Sequence, residues 1–169
     1  MTLSVLLDTS FLITLVDRNR PNHCVATQYY QYLLESETPM YLSAIVASEF
    51  EIKQPVTSLP LENFRTLPFN ITDAILAAHY WNILAQSRDE NTRRHVARDD
   101  VKLIAQASRE NISHLFTEDK SSLYKYCERL RKSKDCSVQA IILADGFSYN
   151  ALHTDGQQGL DFDTPASGS

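Results

Sequence analysis

Acidic residues stand at four places where the chain pattern predicts the end of a strand or the first turns of a helix. They are Asp8, Glu49, Asp100 and the adjacent pair Glu118 and Asp119. Carboxylates repel one another, so a fold that brings them together needs a cation to neutralise them. Carboxylate oxygens are the ligands that Mg²⁺ and Mn²⁺ prefer. The spacing therefore indicates a site for a hard divalent metal ion.

A metal ion held by such a cluster would do hydrolytic chemistry. It would lower the pKa of a bound water molecule, orient that water for in-line attack on a phosphodiester and stabilise the charge on the leaving oxygen. No protein nucleophile is needed. The pattern therefore predicts a metal-dependent phosphodiesterase.

Each acid also has a purely structural interpretation. Asp8 and Asp119 are suitable helix N-caps, Asp100 would favour the dipole of the helix that it opens, and Glu49 would be a solvated helix position. Four independent structural roles at these spacings explain the pattern less economically than one shared metal site.

The hydrophobic pattern alternates between strands and helices. Strands are predicted at residues 3–7, 40–42, the end of 54–68, 112–116 and 138–143, and helices at residues 10–16, 23–36, 44–53, 72–84, 99–110 and 120–130. This rhythm predicts an α/β fold, a three-layer α/β/α sandwich with a mostly parallel central sheet. Ligands bind at the carboxyl ends of such strands, where this pattern places Asp8 and residues 117–119.

Length and composition predict one domain. The 169 residues, 43% of them hydrophobic, suffice for one core but not for two. Residues 1–150 are expected to form this domain. From residue 153 the composition becomes polar and small, and residues 151–169 are expected to be a partly disordered tail.

The net charge of −5 conceals an uneven distribution. Residues 88–134 hold 12 of the 16 basic and 8 of the 21 acidic residues, so this basic stretch carries +4 and the remainder −9. Arg88, Arg93, Arg94 and Arg98 lie in it, and two interpretations are open: a solvated loop or a surface that guides RNA.

The sequence shows neither a targeting signal nor a cysteine motif. The amino terminus lacks a basic leader region, and the apolar segment 11–16 is far too short to span a bilayer. Cys24, Cys127 and Cys136 have no zinc-site spacing and are expected to be reduced, buried thiols. The protein is therefore expected to be soluble and cytoplasmic, without a membrane partner.

Four motifs resemble the PIN-domain nucleases, and among them the VapC-type toxins of type II toxin-antitoxin systems. The motifs are residues 7–10 (Leu-Asp-Thr-Ser), 43–50 (Ser-Ala-Ile-Val-Ala-Ser-Glu-Phe), 100–107 (Asp-Val-Lys-Leu-Ile-Ala-Gln-Ala) and 117–119 (Thr-Glu-Asp). The resemblance runs from about residue 3 to residue 143. The order and spacing of all four motifs make it specific.

The resemblance implies both an activity and partners. It implies an endoribonuclease that uses Mg²⁺ or Mn²⁺, with Asp8, Glu49, Asp100 and Asp119 as catalytic and metal-binding residues. Glu118 stays open as an alternative to Asp119, and Ser10 and Thr117 are expected to support the ligands. VapC-type proteins are usually homodimers, inhibited by a small antitoxin whose tail reaches the acidic groove.

Two other classes of function remain open. One is a PIN-like module that no longer cuts RNA and instead binds protein. The other is a phosphatase of the haloacid dehalogenase type, because a strand followed by Asp8 and Thr9 is similar to the start of that family. That family has a second Asp two residues after the first, where this chain has Ser10.

Overall fold

The computed structural model describes residues 2–86 and 98–153, in which a single five-stranded sheet is flanked by helices. The strands are β1 (Val5–Leu7), β2 (Met40–Ser43), β3 (Phe64–Leu67), β4 (His114–Thr117) and β5 (Gln139–Ile142). The helices are α1 (Thr9–Val16), α2 (His23–Glu35), α3 (Ala44–Lys53), α4 (Ile71–Ala85), α5 (Arg98–Arg109) and α6 (Leu123–Lys132). The predicted α/β class is confirmed.

The strand order is β3-β2-β1-β4-β5. All pairs of neighbouring strands in these residues are parallel, so the sheet is wholly rather than mostly parallel. The chain moves outward from β1 to β3 and then returns to place β4 on the other side of β1. The topological switch point, where such folds bind ligands, therefore lies between the carboxyl ends of β1 and β4.

The helices form two groups. Helix α1 packs against α2 and α3, whereas α4, α5 and α6 pack against one another. With right-handed crossovers these groups lie on opposite faces of the sheet. The predicted three-layer sandwich is thus confirmed, and it explains why every residue of β1 and β4 is buried.

Capping side chains set the helix boundaries that matter for the site. As predicted, Ser43 caps α3, with its hydroxyl accepting from the amide of Ile45 at 3.1 Å. A capping box between Asn70 and Asp73 starts α4 one residue before the predicted position. Helix α5 ends before Asn111, whose left-handed φ of 55° turns the chain towards β4.

Four predicted boundaries were wrong by two or three residues: the starts of β1, β4 and α6 and the end of α6. Hydrogen bonds explain two of them. Helix α6 begins at Leu123 rather than at residue 120, because the Asp119 carboxylate accepts from the amides of Ser121 and Ser122 and forms a separate turn. Strand β4 begins at His114 rather than at residue 112, because the amide of Ile112 still bonds to the last turn of α5.

The described structure extends past residue 150. Leu152 lies in a short 3₁₀ turn and is 2% exposed, so the packed structure reaches it. Several predicted features lie outside the described residues: residues 154–169 of the predicted tail, the predicted loop at residues 87–94, His95, and the arginines Arg88, Arg93 and Arg94.

The cysteines were predicted incorrectly in one case. All three are free thiols, and Cys127 and Cys136 are buried, but Cys24 is exposed in the first turn of α2. Whether a small residue in a helix is buried depends on the helix face that it occupies, and not only on its apolar character. Within the described ranges, no helix has the length and apolar character needed to cross a membrane.

Candidate functional site

Four carboxylates from four different elements line one cavity of about 430 Å³ at the carboxyl ends of the strands. Asp8 directly follows β1, Glu49 lies in α3, Asp100 lies in the first turn of α5, and Asp119 follows β4. The remaining residues of the wall are Thr9, Ser10, Ile13, Arg20, Ile52 and Lys53. The structure therefore brings together the four acids that the sequence singled out.

Asp8 is held by two hydroxyl groups. It caps α1 and is only 7% exposed. Its Oδ2 accepts from Ser10 Oγ at 2.6 Å and from Thr117 Oγ1 at 2.9 Å. The structural role of Asp8 as an N-cap and its place in the acidic cavity thus coexist, and the two predicted supporting residues both contact it.

Glu49 is fixed by a neighbour of Asp8. Thr9 Oγ1 donates a short hydrogen bond to Glu49 Oε2. The helix that carries Glu49 is in turn tied to the helix of Asp100, because the buried Ser43 donates to Gln106 Oε1 at 2.5 Å. Two helices from opposite faces of the sheet are therefore held in a fixed relation around the cavity.

Asp100 and Asp119 share one hydroxyl donor. Ser122 Oγ lies 2.5 Å from Asp100 Oδ2 and is also in short contact with Asp119 Oδ2. The pKa of Asp100 is raised to about 6, chiefly by burial; the Ser122 hydrogen bond lowers it, and the charges of Asp8, Asp119 and Glu49 add to the increase. Repulsion from the other three carboxylates therefore contributes to the shift, after burial.

Asp119 differs from Asp100 in its surroundings. Burial acts to raise its pKa, but hydrogen bonds from the hydroxyls and amides of Ser122 and Ser121 outweigh burial and lower the pKa to about 2. Two acids of one cavity thus differ widely in acidity, a pattern that is frequent in catalytic centres.

Glu118, the alternative fourth acid, contacts other groups. Its Oε2 pairs with Arg20 Nη1 at 2.8 Å, and its Oε1 accepts from Asn22 Nδ2 at 3.1 Å. Asp119 lies in the cavity wall, and Glu118 does not. The geometry therefore favours Asp119 as the fourth member of the cluster.

The donor set suits a divalent cation in its chemistry. Four carboxylates with supporting hydroxyls provide the oxygen ligands that Mg²⁺ and Mn²⁺ take, and the raised pKa of Asp100 reports a charge that a cation would neutralise. In residues 2–86 and 98–153, however, no three acidic, histidine or cysteine side chains are arranged closely enough to hold an ion as they stand.

Sequence reasoning missed four residues of the site. Thr9 and Ser122 orient carboxylates, and Arg20 and Lys53 are the cations of the cavity wall in the described part of the chain. Thr9 follows Asp8, and Ser122 lies three residues after Asp119, so proximity to an acid was an available signal for both. Arg20 and Lys53 carry no local signal, since only the folded chain brings them to the acids.

The described basic residues of the 88–134 stretch do not line this cavity. Among them, Arg98 lines a different groove, Arg109 pairs with Asp73, and Arg129 donates to the carbonyl of Leu84 at 3.0 Å. Of the four arginines considered as a guide for RNA, Arg98 alone belongs to the described residues, and it does not line the acidic cavity.

Comparison with known proteins assigns the family. A family model described as the PIN domain matches residues 5–129. The chain belongs to the PIN domain family. The matched segment contains all four acids of the cavity. No curated protein sequence matches the chain.

The PIN chain also resembles solved toxin-antitoxin structures. VapBC-1 from nontypeable Haemophilus influenzae superposes with a TM-score of 0.56 at 18% identity, covering 84% of this chain and 99% of that one. DNA-bound VapBC2 from Rickettsia felis gives 0.55 at 14% identity, covering 83% and 98%. VapC20 from Mycobacterium tuberculosis, described as a toxin that cleaves the sarcin-ricin loop, gives 0.51 at 19% identity, covering 70% and 92%. At these identities the likeness demonstrates a shared fold.

Proposed function

We propose that this PIN-domain protein is a metal-dependent endoribonuclease whose centre consists of Asp8, Glu49, Asp100 and Asp119. The observation that carries the proposal is the convergence of these acids on one cavity with mutual repulsion strong enough to help raise the pKa of Asp100 to about 6. A protein would not retain such repulsion for stability, because it costs free energy unless a ligand relieves it.

The four carboxylates would hold Mg²⁺ or Mn²⁺. Such a cation supplies activation of a water molecule and stabilisation of negative charge on the phosphate during hydrolysis. Water adds its oxygen to phosphorus, the bond from phosphorus to the leaving oxygen breaks, and that oxygen takes up a proton.

The hydroxyl groups around the acids orient them for this task. Ser10 and Thr117 both donate to Asp8 Oδ2. Asp8 Oδ1 has no hydrogen-bond donor among the described residues. Thr9 and Ser122 fix Glu49 and the pair of Asp100 and Asp119 in the same way. Supporting hydrogen bonds of this kind orient ligands and tune their basicity.

A toxin with an antitoxin partner and a homodimeric state is part of the proposal. Its support is the fold shared with VapC toxins, together with an apolar groove of about 220 Å³ between α4 and α5. The groove is lined by Phe69, Trp81 and Val101, and the exposed Ile71 and Ile75 lie on the same helix as Trp81. Exposed apolar surface of this kind is typical of a protein interface.

One observation favours a second candidate, a PIN module that no longer cuts. The acids of the described chain do not form a ready metal site as they stand. This candidate keeps the fold and the partner surface but predicts neither metal binding nor RNA cleavage. The phosphatase alternative gains no support from the family assignment.

Asp8→Asn tests the nuclease proposal. Asparagine is as good an N-cap as aspartate, so the fold should persist while the charge is lost. We expect the wild type to cleave single-stranded RNA only with added Mg²⁺ or Mn²⁺, and Asp8→Asn to lose at least about 10³-fold in rate, as expected when a metal centre loses one ligand. Asp145→Asn, an exposed acid paired with Lys120, is the matched control.

A binding measurement separates the two candidates. If the acids hold a cation, Mg²⁺ or Mn²⁺ should raise the unfolding temperature of the wild type and less so that of Asp8→Asn. Neither a thermal shift nor cleavage with either metal would exclude the nuclease in favour of the silent module. Metal-dependent hydrolysis of p-nitrophenyl phosphate with intact RNA would instead support the phosphatase.

A further inference from the structure

Arg20 is held in the wall of the acidic cavity by contacts from other elements. Its Nη1 donates to Glu118 Oε2 at 2.8 Å and to Thr14 Oγ1 at 3.1 Å. Its amide bonds to the carbonyl of Asp17, and its carbonyl accepts from the amide of His23, so both side chain and backbone are fixed. Its side chain nevertheless remains 36% exposed.

The contacts of Arg20 use only one edge of its guanidinium. Both recorded acceptors bind Nη1, and in the described part of the chain Nε and Nη2 have no acceptor. These two nitrogens form the side-on pair whose hydrogens match two oxygens of a phosphate or carboxylate. The anchored edge faces Glu118, so the other edge is available to a ligand.

An RNA strand needs cations at this cavity. Four carboxylates would repel a phosphate, and even a bound divalent cation neutralises only part of their charge. Within residues 2–86 and 98–153, Arg20 and Lys53 are the cations of the wall. Arg20 is fixed by its contacts, whereas Lys53 is exposed at the end of α3.

We propose that Arg20 binds a backbone phosphate of the substrate beside the four acids, and that Glu118 positions Arg20 for this contact. The inference rests on the proposed nuclease function and deepens it. It also gives Glu118 a role: the acid that competes with Asp119 in the sequence acts as the anchor of an arginine rather than as a metal ligand.

Replacing Arg20 tests the phosphate contact. Arg20→Ala should lower kcat/KM for RNA cleavage about 10- to 100-fold, the range expected when charge-assisted hydrogen bonds are lost. Arg20→Lys should recover part of this loss, because lysine retains the charge but not the paired donors. Arg18→Ala removes the same charge from an exposed position two residues away and should change kcat/KM by less than about twofold.

Salt dependence provides a readout that a structural role would not change. Binding of a short single-stranded RNA is measured in the non-cleaving Asp8→Asn background, without and with Arg20→Ala. Loss of one phosphate contact should reduce the slope of log Kd against log salt by about 0.7. Arg18→Ala in the same background should leave the slope unchanged.

Glu118→Gln tests the positioning role. It should lower kcat/KM about 3- to 10-fold, the loss expected when a charged hydrogen-bond partner becomes neutral. The Mg²⁺ concentration for half-maximal activity should not change, and the substitution should have no further effect in the Arg20→Ala background. A higher Mg²⁺ requirement, or a loss that multiplies with that of Arg20→Ala, would show that Glu118 is a metal ligand and overturn its positioning role.

The outcomes distinguish this inference from the function on which it rests. If the wild type cleaves RNA and Arg20→Ala behaves like Arg18→Ala in rate and salt slope, the phosphate contact is wrong and the nuclease stands. If the wild type neither cleaves nor binds RNA with Mg²⁺ or Mn²⁺, both are wrong. A reduced salt slope for Arg20→Ala, together with partial recovery of kcat/KM in Arg20→Lys, supports both the phosphate contact and the nuclease function.

Discussion

The two ends of the central strands β1 and β4 differ in the polar groups that they carry: paired neutral groups at the amino end and clustered carboxylates at the carboxyl end. At the amino end, Ser4 and Ser113 bond reciprocally through amide and hydroxyl groups at 2.9 and 3.2 Å. His114 is fully buried there; its Nε2 donates to the carbonyl of Ala151 at 3.0 Å, and Nδ1 lies 2.8 Å from Ser113 Oγ. At the carboxyl end, four carboxylates share one cavity.

This contrast places a neutral, hydrogen-bonded cluster and a group of carboxylates at opposite ends of the same two strands. Burial lowers the pKa of His114 to about 4, against the raising effect of its bond to Ala151, so the ring stays neutral and satisfied at neutral pH. Burial together with like charges raises the pKa of Asp100 at the other end. At the amino end the buried histidine is neutral and adds no buried charge. At the carboxyl end the repulsion between carboxylates costs free energy, which a bound cation would relieve.

The largest expected effect is at the carboxyl end. Asp100→Asn should reduce metal-dependent RNA cleavage by at least about 10³-fold, since a charged ligand of the proposed centre is lost. In EDTA at neutral pH it should raise the free energy of unfolding by about 1–2 kcal/mol, because a desolvated and repelled charge disappears. RNA cleavage and urea unfolding measure the two effects.

Asp99→Asn is the matched control for this prediction. Asp99 precedes Asp100 but is exposed and pairs with Lys102 at 2.7 Å. It should change cleavage little and should not raise stability. Were Asp100→Asn to destabilise the metal-free protein, the carboxyl end would not carry the repulsion described above.

The opposite pattern is expected at the amino end. His114→Ala should lower the free energy of unfolding by about 2–4 kcal/mol, since it leaves a cavity and removes a hydrogen bond to Ala151. Cleavage per folded molecule should stay within about twofold, because the substituted side chain lies at the far end of β4. His79→Ala, at an exposed position of α4, is the control. A large loss of specific activity would mean that the two ends are coupled.

Removing one hydroxyl at each edge of the sheet tests the same comparison. Thr117 ends β4 at the carboxyl edge, and Thr38 precedes β2 at the amino edge. Thr117 donates to Asp8 Oδ2 and accepts from the amide of Asp119 at 2.8 Å. Thr117→Val should lower cleavage about 10- to 100-fold, as expected when a group that orients metal ligands is lost. Thr38→Val, whose hydroxyl contacts only Ser36 Oγ among the described side chains, should not affect cleavage. Equal losses of kcat in the two variants would contradict the division of roles.

The smallest effects are opposite in sign and depend on pH. The folded pKa of His114 lies below its ordinary 6.5, so the unfolded chain binds this proton more readily, and stability falls as the pH drops from about 7 to about 4. The folded pKa of Asp100 lies above its ordinary 3.8, so the folded protein takes up the proton first, and this group adds stability over the same interval. Each contribution should be on the order of 1–3 kcal/mol.

Urea unfolding in EDTA across this pH interval measures both contributions. As the pH falls, the wild type should gain stability relative to Asp100→Asn and lose it relative to His114→Ala. A constant difference between wild type and either variant would mean that the substituted group does not titrate as described.

The fold and the acids of the site could be predicted because their signals are local. Strands β1 and β5 are short apolar runs, α3 follows a serine cap, and three of the acids follow a strand or open a helix. The choice between Glu118 and Asp119 could not be made in this way. Adjacent carboxylates at the end of a strand have the same local chemistry, and the difference is made by Arg20, which is remote in sequence.

The amino-acid sequence by itself determined a parallel α/β sandwich with four acids at the carboxyl ends of its strands or in the adjoining helices, because hydrophobic periodicity and capping residues act within a few positions. The tertiary structure alone decided which charges meet. Arg20 contacts Glu118, which lies 98 positions away in the sequence. The raised pKa of Asp100 depends on burial and on carboxylates from three other parts of the chain. Electrostatic energies depend on distance in space and on burial, and neither is a property of neighbouring residues.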